Sequence, residues 1–92
     1  MTINMTTEKT MVAEEAFNEY MKDLYRNAAY AARELEQRDP DSWLYASYIE
    51  SLSEYMMKLG ACADLLNDLE IDNPLSYDQQ KDIRQWHKEY LS

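Results

Sequence analysis

Apolar residues recur every three or four positions along most of the chain, which is the spacing of one face of an α-helix. The first such run predicts a helix over residues 8–38, with Glu8 early and Arg38 late, as the helix dipole favours. Residues 1–7 are polar and rich in threonine, and we expect them to be disordered. The apolar stripe of this helix is formed by Phe17, Met21, Leu24, Ala28, Ala31 and Leu35.

The second apolar pattern repeats every seven residues. Asp39 followed by Pro40 predicts a helix N-cap with proline at the first helical position, so we expect this helix over residues 40–69. Gly60 interrupts it, which favours a close helix approach or a local bend. The heptad spacing fits a seam packed inside the chain or a seam between two copies, and both remain open. Its two rows are Tyr45, Leu52, Leu59 and Leu66, and Tyr48, Tyr55, Cys62 and Leu69.

A third, shorter helix is predicted over residues 77–90. Ser76 and Gln79 have the spacing of a capping box, in which each side chain bonds a backbone N–H at the helix start. The chain has one glycine and two prolines, too few for a fold built on strands and tight turns. We therefore predict an all-α fold: one domain over residues 1–92, with two long helices in an antiparallel hairpin and a shorter third helix in a small helical bundle.

Charge divides the chain unevenly. Of the net charge of −9, the segment 39–80 carries nine acidic residues and a single base, Lys58. Direct binding of DNA or RNA is not expected, because phosphate contacts need clustered lysine and arginine. The acidic segment favours either a solvated face or a binding surface for a basic protein.

The sequence offers few groups for chemistry. His87 is the only histidine and Cys62 the only cysteine, so neither a histidine-based metal site nor a disulfide is expected. Asp68, Glu70 and Asp72 begin with the spacing of a calcium loop, but the glycine and the final glutamate that such a loop needs are absent. We therefore predict no catalytic, cofactor-binding or metal-binding residues, no cofactor and no enzymatic activity.

Eight tyrosines are more than a small two-layer core can accommodate. Tyrosine and tryptophan are common at protein interfaces, because their apolar rings bury well while the polar group reaches water or a partner. Exposed methionine adds adaptable surface. The predicted partner-binding residues combine these aromatic positions with the acids: Trp43, Tyr45, Tyr48, Glu50, Glu54, Tyr55, Met57, Asp64, Asp68, Glu70 and Asp72.

These patterns favour a small acidic protein-binding module. We predict that it inhibits or regulates a basic, nucleic-acid-handling protein, in the manner of inhibitors, antitoxins, immunity proteins or nucleic-acid mimics. One alternative is a homo-oligomeric helical scaffold, and a homodimer is expected; another is a small-ligand or nucleotide binder near Tyr20, Arg26 and Arg33. The chain shows no signal peptide and no run of apolar residues long enough to span a membrane, so we expect a cytoplasmic protein without a membrane partner.

Overall fold

The structure, a computed structural model, describes residues 14–92 in full and residues 2–13 only as part of the first helix. The predicted all-α hairpin with a shorter third helix is confirmed. The first helix begins at Thr2, six residues before the predicted start at residue 8. The predicted disorder of residues 1–7 lies outside the fully described residues and stays a prediction. The helices are α1 (Thr2–Gln37), α2 (Trp43–Asp68) and α3 (Tyr77–Trp86), and α3 continues into a π-helical turn over His87–Leu91.

The core is the contact between α1 and α2. On α1 the predicted stripe from Met21 to Leu35 is buried, with Phe17 packed partly buried at its end. On α2 the buried residues are Leu52, Leu59, Cys62 and Leu66. These residues of the seam pack against the core of the same chain and are not exposed for contact with a second copy. No polar or charged residue is buried in the described part of the chain. The buried core consists of Met21, Leu24, Ala28, Ala31, Ala32, Leu35, Leu52, Leu59, Cys62, Leu66 and Leu75.

The start of α2 lies three residues later than the sequence predicts. Asp39 opens a turn instead of capping a helix: its carbonyl oxygen accepts from the Ser42 backbone N–H at 3.0 Å, and its side chain accepts from the Asp41 N–H at 2.9 Å. Pro40 lies within this turn, a position that suits its fixed φ. Ser42 is the N-cap, and its hydroxyl oxygen accepts from the Leu44 N–H at 3.2 Å. An Asp-Pro pair is compatible with both structures, and the serine determines which one forms.

The end of α2 closes in a Schellman motif. The Glu70 N–H donates to the Asn67 carbonyl at 3.2 Å, and the Ile71 N–H donates to the Leu66 carbonyl at 2.9 Å. This geometry needs a left-handed residue, and Glu70 supplies it with a φ of 57°. Leu69, predicted to continue the heptad seam, is instead the C-cap and is 58% exposed, because the helix ends before its side chain can turn inward.

Helix α3 is docked on the hairpin by aromatic and hydrogen-bond contacts. The predicted capping box is confirmed, with both reciprocal bonds present between Ser76 and Gln79. No residue of α3 is fully buried. Instead, Tyr25 of α1 stacks on Trp86 with ring centroids 5.5 Å apart and donates its hydroxyl to Asp82 at 2.8 Å.

Replacing Gly60 with alanine is expected to stabilise the protein. Gly60 is exposed inside α2, and a Cβ there meets no other helix or side chain of the described residues within 4 Å, so no close helix approach requires it. Alanine is favoured over glycine in a helix by about 1 kcal/mol. Urea unfolding should therefore show Gly60→Ala more stable by roughly 0.5–1 kcal/mol. The neighbouring exposed position provides the control, since Ala61→Gly should lose a similar amount.

Glu70→Gly is also expected to stabilise the protein, for the opposite reason. A left-handed backbone costs a residue with a Cβ roughly 1–2 kcal/mol, and glycine returns about 0.5–1 kcal/mol of that through its greater freedom in the unfolded chain. The expected net gain is about 0.5–1 kcal/mol in the free energy of unfolding. Glu70→Ala keeps the strained backbone and should show no such gain; equal effects of the two substitutions would contradict this explanation.

The Tyr25 hydroxyl is expected to lose its proton only at unusually high pH. Partial burial, followed by the hydrogen bond and negative charge of Asp82, raises its pKa to about 12. Since the unfolded value is near 10, the folded chain holds this proton where the unfolded chain has lost it. The stabilisation is complete below about pH 10 and disappears as the pH rises towards 12. NMR of ¹³Cζ-labelled tyrosine should show the Tyr25 pKa fall in Asp82→Asn and stay unchanged in Asp78→Asn, a control on the same helix.

Candidate functional site

The outward side of α2 carries most of the predicted partner-binding residues in one stripe. Successive members are three, four or seven residues apart, so they lie on one helix face, opposite the buried leucines. All of them are exposed. The stripe extends along the whole helix, about 38 Å at 1.5 Å per residue. We call it the acidic face; its members are Trp43, Glu50, Glu54, Met57, Asp64 and Asp68.

The acidic face also contains two large apolar side chains, one at its end and one among the carboxylates. Trp43 is 77% exposed and Met57 is 73% exposed, although each could bury substantial apolar area against a partner. Trp43 follows the N-cap Ser42, so the helix start fixes its position at one end of the face. Exposed tryptophan and methionine among charges are typical anchors of a binding surface.

The negative charge of the acidic face is largely uncompensated by neighbouring bases. Lys58 contacts Glu54 at 3.1 Å, and this hydrogen bond is the main reason that the Lys58 pKa is raised. Both side chains of that pair are about half exposed or more, so solvent weakens it. Glu50, Asp64 and Asp68 make no ion pair within residues 14–92. The face therefore presents a negative potential with apolar anchors at defined positions.

The three predicted tyrosines of α2 lie on its inner flanks and not on the acidic face. Tyr45, Tyr48 and Tyr55 are partly buried and pack against the core. Tyr48 meets Tyr30 of α1 edge to face with centroids 6.2 Å apart, and the Arg38 guanidinium lies 5.1 Å from its ring centre. These contacts account for Tyr48 as packing within the chain, which leaves only part of each ring for a partner.

Glu70 and Asp72 lie beyond the end of α2 and flank Ile71 in sequence, and Ile71 lines an apolar groove that the sequence did not indicate. The groove is a cavity of about 240 Å³ between the described start of α1 and the last turn of α2. Leu65 is 48% exposed and Leu69 is 58% exposed along it. The missed signal was the polar end of α2, which stops the heptad rows before Leu69. We call this the terminal groove; its lining is Glu14, Phe17, Asn18, Leu65, Leu66, Leu69 and Ile71.

The suggested nucleotide-site residues do not assemble. Arg26 is paired with Asp23 at 3.0 Å and with Glu19 at 3.8 Å. Arg33 instead lines a separate cleft of about 400 Å³ beside Trp86 and Tyr90. Two glutamates, Glu36 and Glu89, also line this cleft, and their charge disfavours a phosphate.

The groups that could perform covalent chemistry are placed apart from one another. Cys62 is buried in the core, and burial raises the pKa of its thiol, which disfavours the reactive thiolate. His87 is exposed at the far end of α3. Within the described residues, no group of three or more histidine, cysteine or carboxylate side chains is arranged to hold a metal ion. No helix in the described part of the chain is long and apolar enough to cross a membrane.

Comparison of the chain with protein-family models, with curated proteins and with solved structures finds no match. The chemistry of the acidic face and the terminal groove is therefore the basis on which function is inferred.

Proposed function

We propose that this protein is an acidic binding module that inhibits or regulates a basic, nucleic-acid-handling protein. The observation that carries the proposal is the acidic face: four carboxylates and two exposed apolar anchors on one rigid helix. Opposite charge steers such partners together and suppresses binding to other acidic molecules. The apolar anchors supply the desolvated contacts that produce affinity.

The geometry supports a basic groove as the partner surface. A single helix face about 38 Å long is narrow and straight, so it fits a concave surface better than a flat one. Glu50 and Glu54 form one carboxylate pair, and Asp64 and Asp68 form another. The two members of each pair are about 6 Å apart along the helix axis. Rows of negative charge on a rigid rod resemble the backbone of a nucleic acid in charge, and a protein that binds nucleic acid has the complementary cations.

The homo-oligomeric alternative loses its main motivation. The heptad seam that favoured it is buried between α1 and α2 of the same chain. Two acidic faces would also repel each other at low ionic strength. A homodimer through another surface stays a prediction, which light scattering at several concentrations will test.

Affinity capture from the source cells tests the proposal. The unmodified chain should retain one basic protein in stoichiometric amount, and the complex should weaken as salt is raised. The double variant Trp43→Ala/Glu50→Gln should lose at least about tenfold in affinity, since an interface anchor and a charge contact are both removed. The variant Asp78→Asn removes an exposed acid on α3 outside the face and should bind as the unmodified chain does.

Competition with nucleic acid tests the finer part of the proposal. A DNA or RNA ligand of the captured protein should displace the chain, because both occupy the same basic groove. Absence of a stoichiometric partner, capture of an acidic protein, or equal capture by the double variant would each contradict the proposed function. Simultaneous binding of the chain and the nucleic acid would contradict the mimicry.

A further inference from the structure

The terminal groove is an apolar surface at the end of the acidic face. Phe17 of α1 forms one wall, Leu65 and Leu69 of α2 form the other, and Ile71 lies at the end where the chain leaves the Schellman motif. Leu66 is buried at the base of the groove. Leu65 is 48% exposed and Leu69 is 58% exposed along one wall of this cavity, so apolar surface is left in water there.

The surroundings of the groove are negative. Glu14 is part of the lining. Over residues 64–72 the chain carries four acids and no base, and three of them, Asp68, Glu70 and Asp72, adjoin groove leucines or Ile71 in sequence. The other polar side chain of the lining, Asn18, is uncharged. An apolar floor with an anionic rim is complementary to a segment with apolar anchors and flanking cations.

We propose that the terminal groove binds a cationic amphipathic helix of the partner protein. This inference rests on the proposed function and names the segment of the basic partner that is recognised. Apolar side chains at positions i, i+3 or i+4 and i+7 of the partner helix enter between Phe17 and the two exposed leucines, and its lysines and arginines reach the carboxylates of the rim. The remainder of the partner lies along the acidic face, which meets the groove at Asp64 and Asp68.

Charge disfavours a second copy of this chain as the occupant. The copy would bring a net charge of −9 to a rim that is itself anionic. Residues 22–33 have three bases against one acid, but Lys22 pairs with Glu19 and Arg26 with Asp23. The C-terminal segment, residues 81–92, has only three bases against two acids. Its partly buried residues Ile83, Trp86 and Tyr90 already pack against the core.

The test uses defined peptides and fluorescence anisotropy. The probe is a labelled amphipathic helix of leucine and lysine, about sixteen residues long, with one apolar stripe. A scrambled peptide of the same composition has the charge without the stripe, and a leucine–glutamate peptide has the stripe with the opposite charge. We expect the leucine–lysine helix to bind at least about tenfold more tightly than either control peptide.

Matched variants locate the binding surface. Leu69→Gln and Leu65→Gln change exposed positions, so the fold should be retained, and circular dichroism verifies this. Each should weaken the leucine–lysine helix about tenfold and leave the scrambled peptide unchanged. Tyr77→Gln changes an exposed aromatic residue on α3, outside both the groove and the acidic face, and should leave peptide affinity unchanged.

Several results would overturn the inference. Equal binding of the scrambled peptide would reduce the interaction to charge, and equal binding of the glutamate peptide would reduce it to apolar contact. Unchanged affinity in both leucine variants would place the peptide elsewhere. A concentration-dependent dimer that Leu69→Gln dissociates would assign the groove to a second copy.

The two proposals can fail separately. If the captured basic protein is lost by Trp43→Ala/Glu50→Gln but held equally by Leu69→Gln, the groove inference is wrong and the proposed function stands. If the leucine–lysine helix binds the groove but no basic protein is captured from cells, the proposed function is wrong.

Discussion

The burial of one leucine row against α1 determines almost everything else about the surface of this protein. Leu52, Leu59 and Leu66 turn one side of α2 inward, and a helix has no freedom to rotate its remaining residues independently. The same constraint turns Trp43 and Met57 outward with the carboxylates. The acidic face is therefore a consequence of core packing, although its composition is not: a helix packed in this way would fold equally well with lysines outside.

Periodicity predicted the parts of the fold that depend on repeated spacing. The α1 stripe, the heptad leucines and the capping box at Ser76 are each determined by several residues that agree, and the structure contains all three. The ends of α2 depend on single residues that compete. Ser42 prevails over Asp39 as the N-cap, and Glu70 accepts a left-handed backbone that the sequence would assign to glycine. The alternative helix ends differ little in free energy, so the spacing of apolar residues alone does not predict which end forms.

The candidate site was predictable to a similar extent. The six acidic-face residues follow from the phase of the heptad rows, since residues opposite a buried seam must face water. The three α2 tyrosines belong to the heptad rows and pack partly buried against the core, whereas their residue type indicates an interface. The terminal groove was missed, because it depends on where α2 stops, which only the polar residues at the helix end indicate, and on how Ile71 folds back over Leu66. Leu69 belongs to a heptad row, and its exposure is evident only once the helix end is known.

The net negative charge and the exposed terminal groove both affect the stability of the isolated chain. A net charge of −9 on a small core opposes compaction by self-repulsion, and the exposed leucines at the groove add apolar surface that folding leaves in water. A partner that supplies cations and covers the groove removes both costs in one contact, and because it binds only the folded chain it must also stabilise that chain. If lysines of the chain itself neutralised the acids, the isolated protein would be more stable, but its attraction for a basic surface would be lost. Acids placed anywhere on the surface would serve solubility. Their concentration in the one segment that contains both the outward helix face and the groove therefore supports the proposed contact with a basic partner.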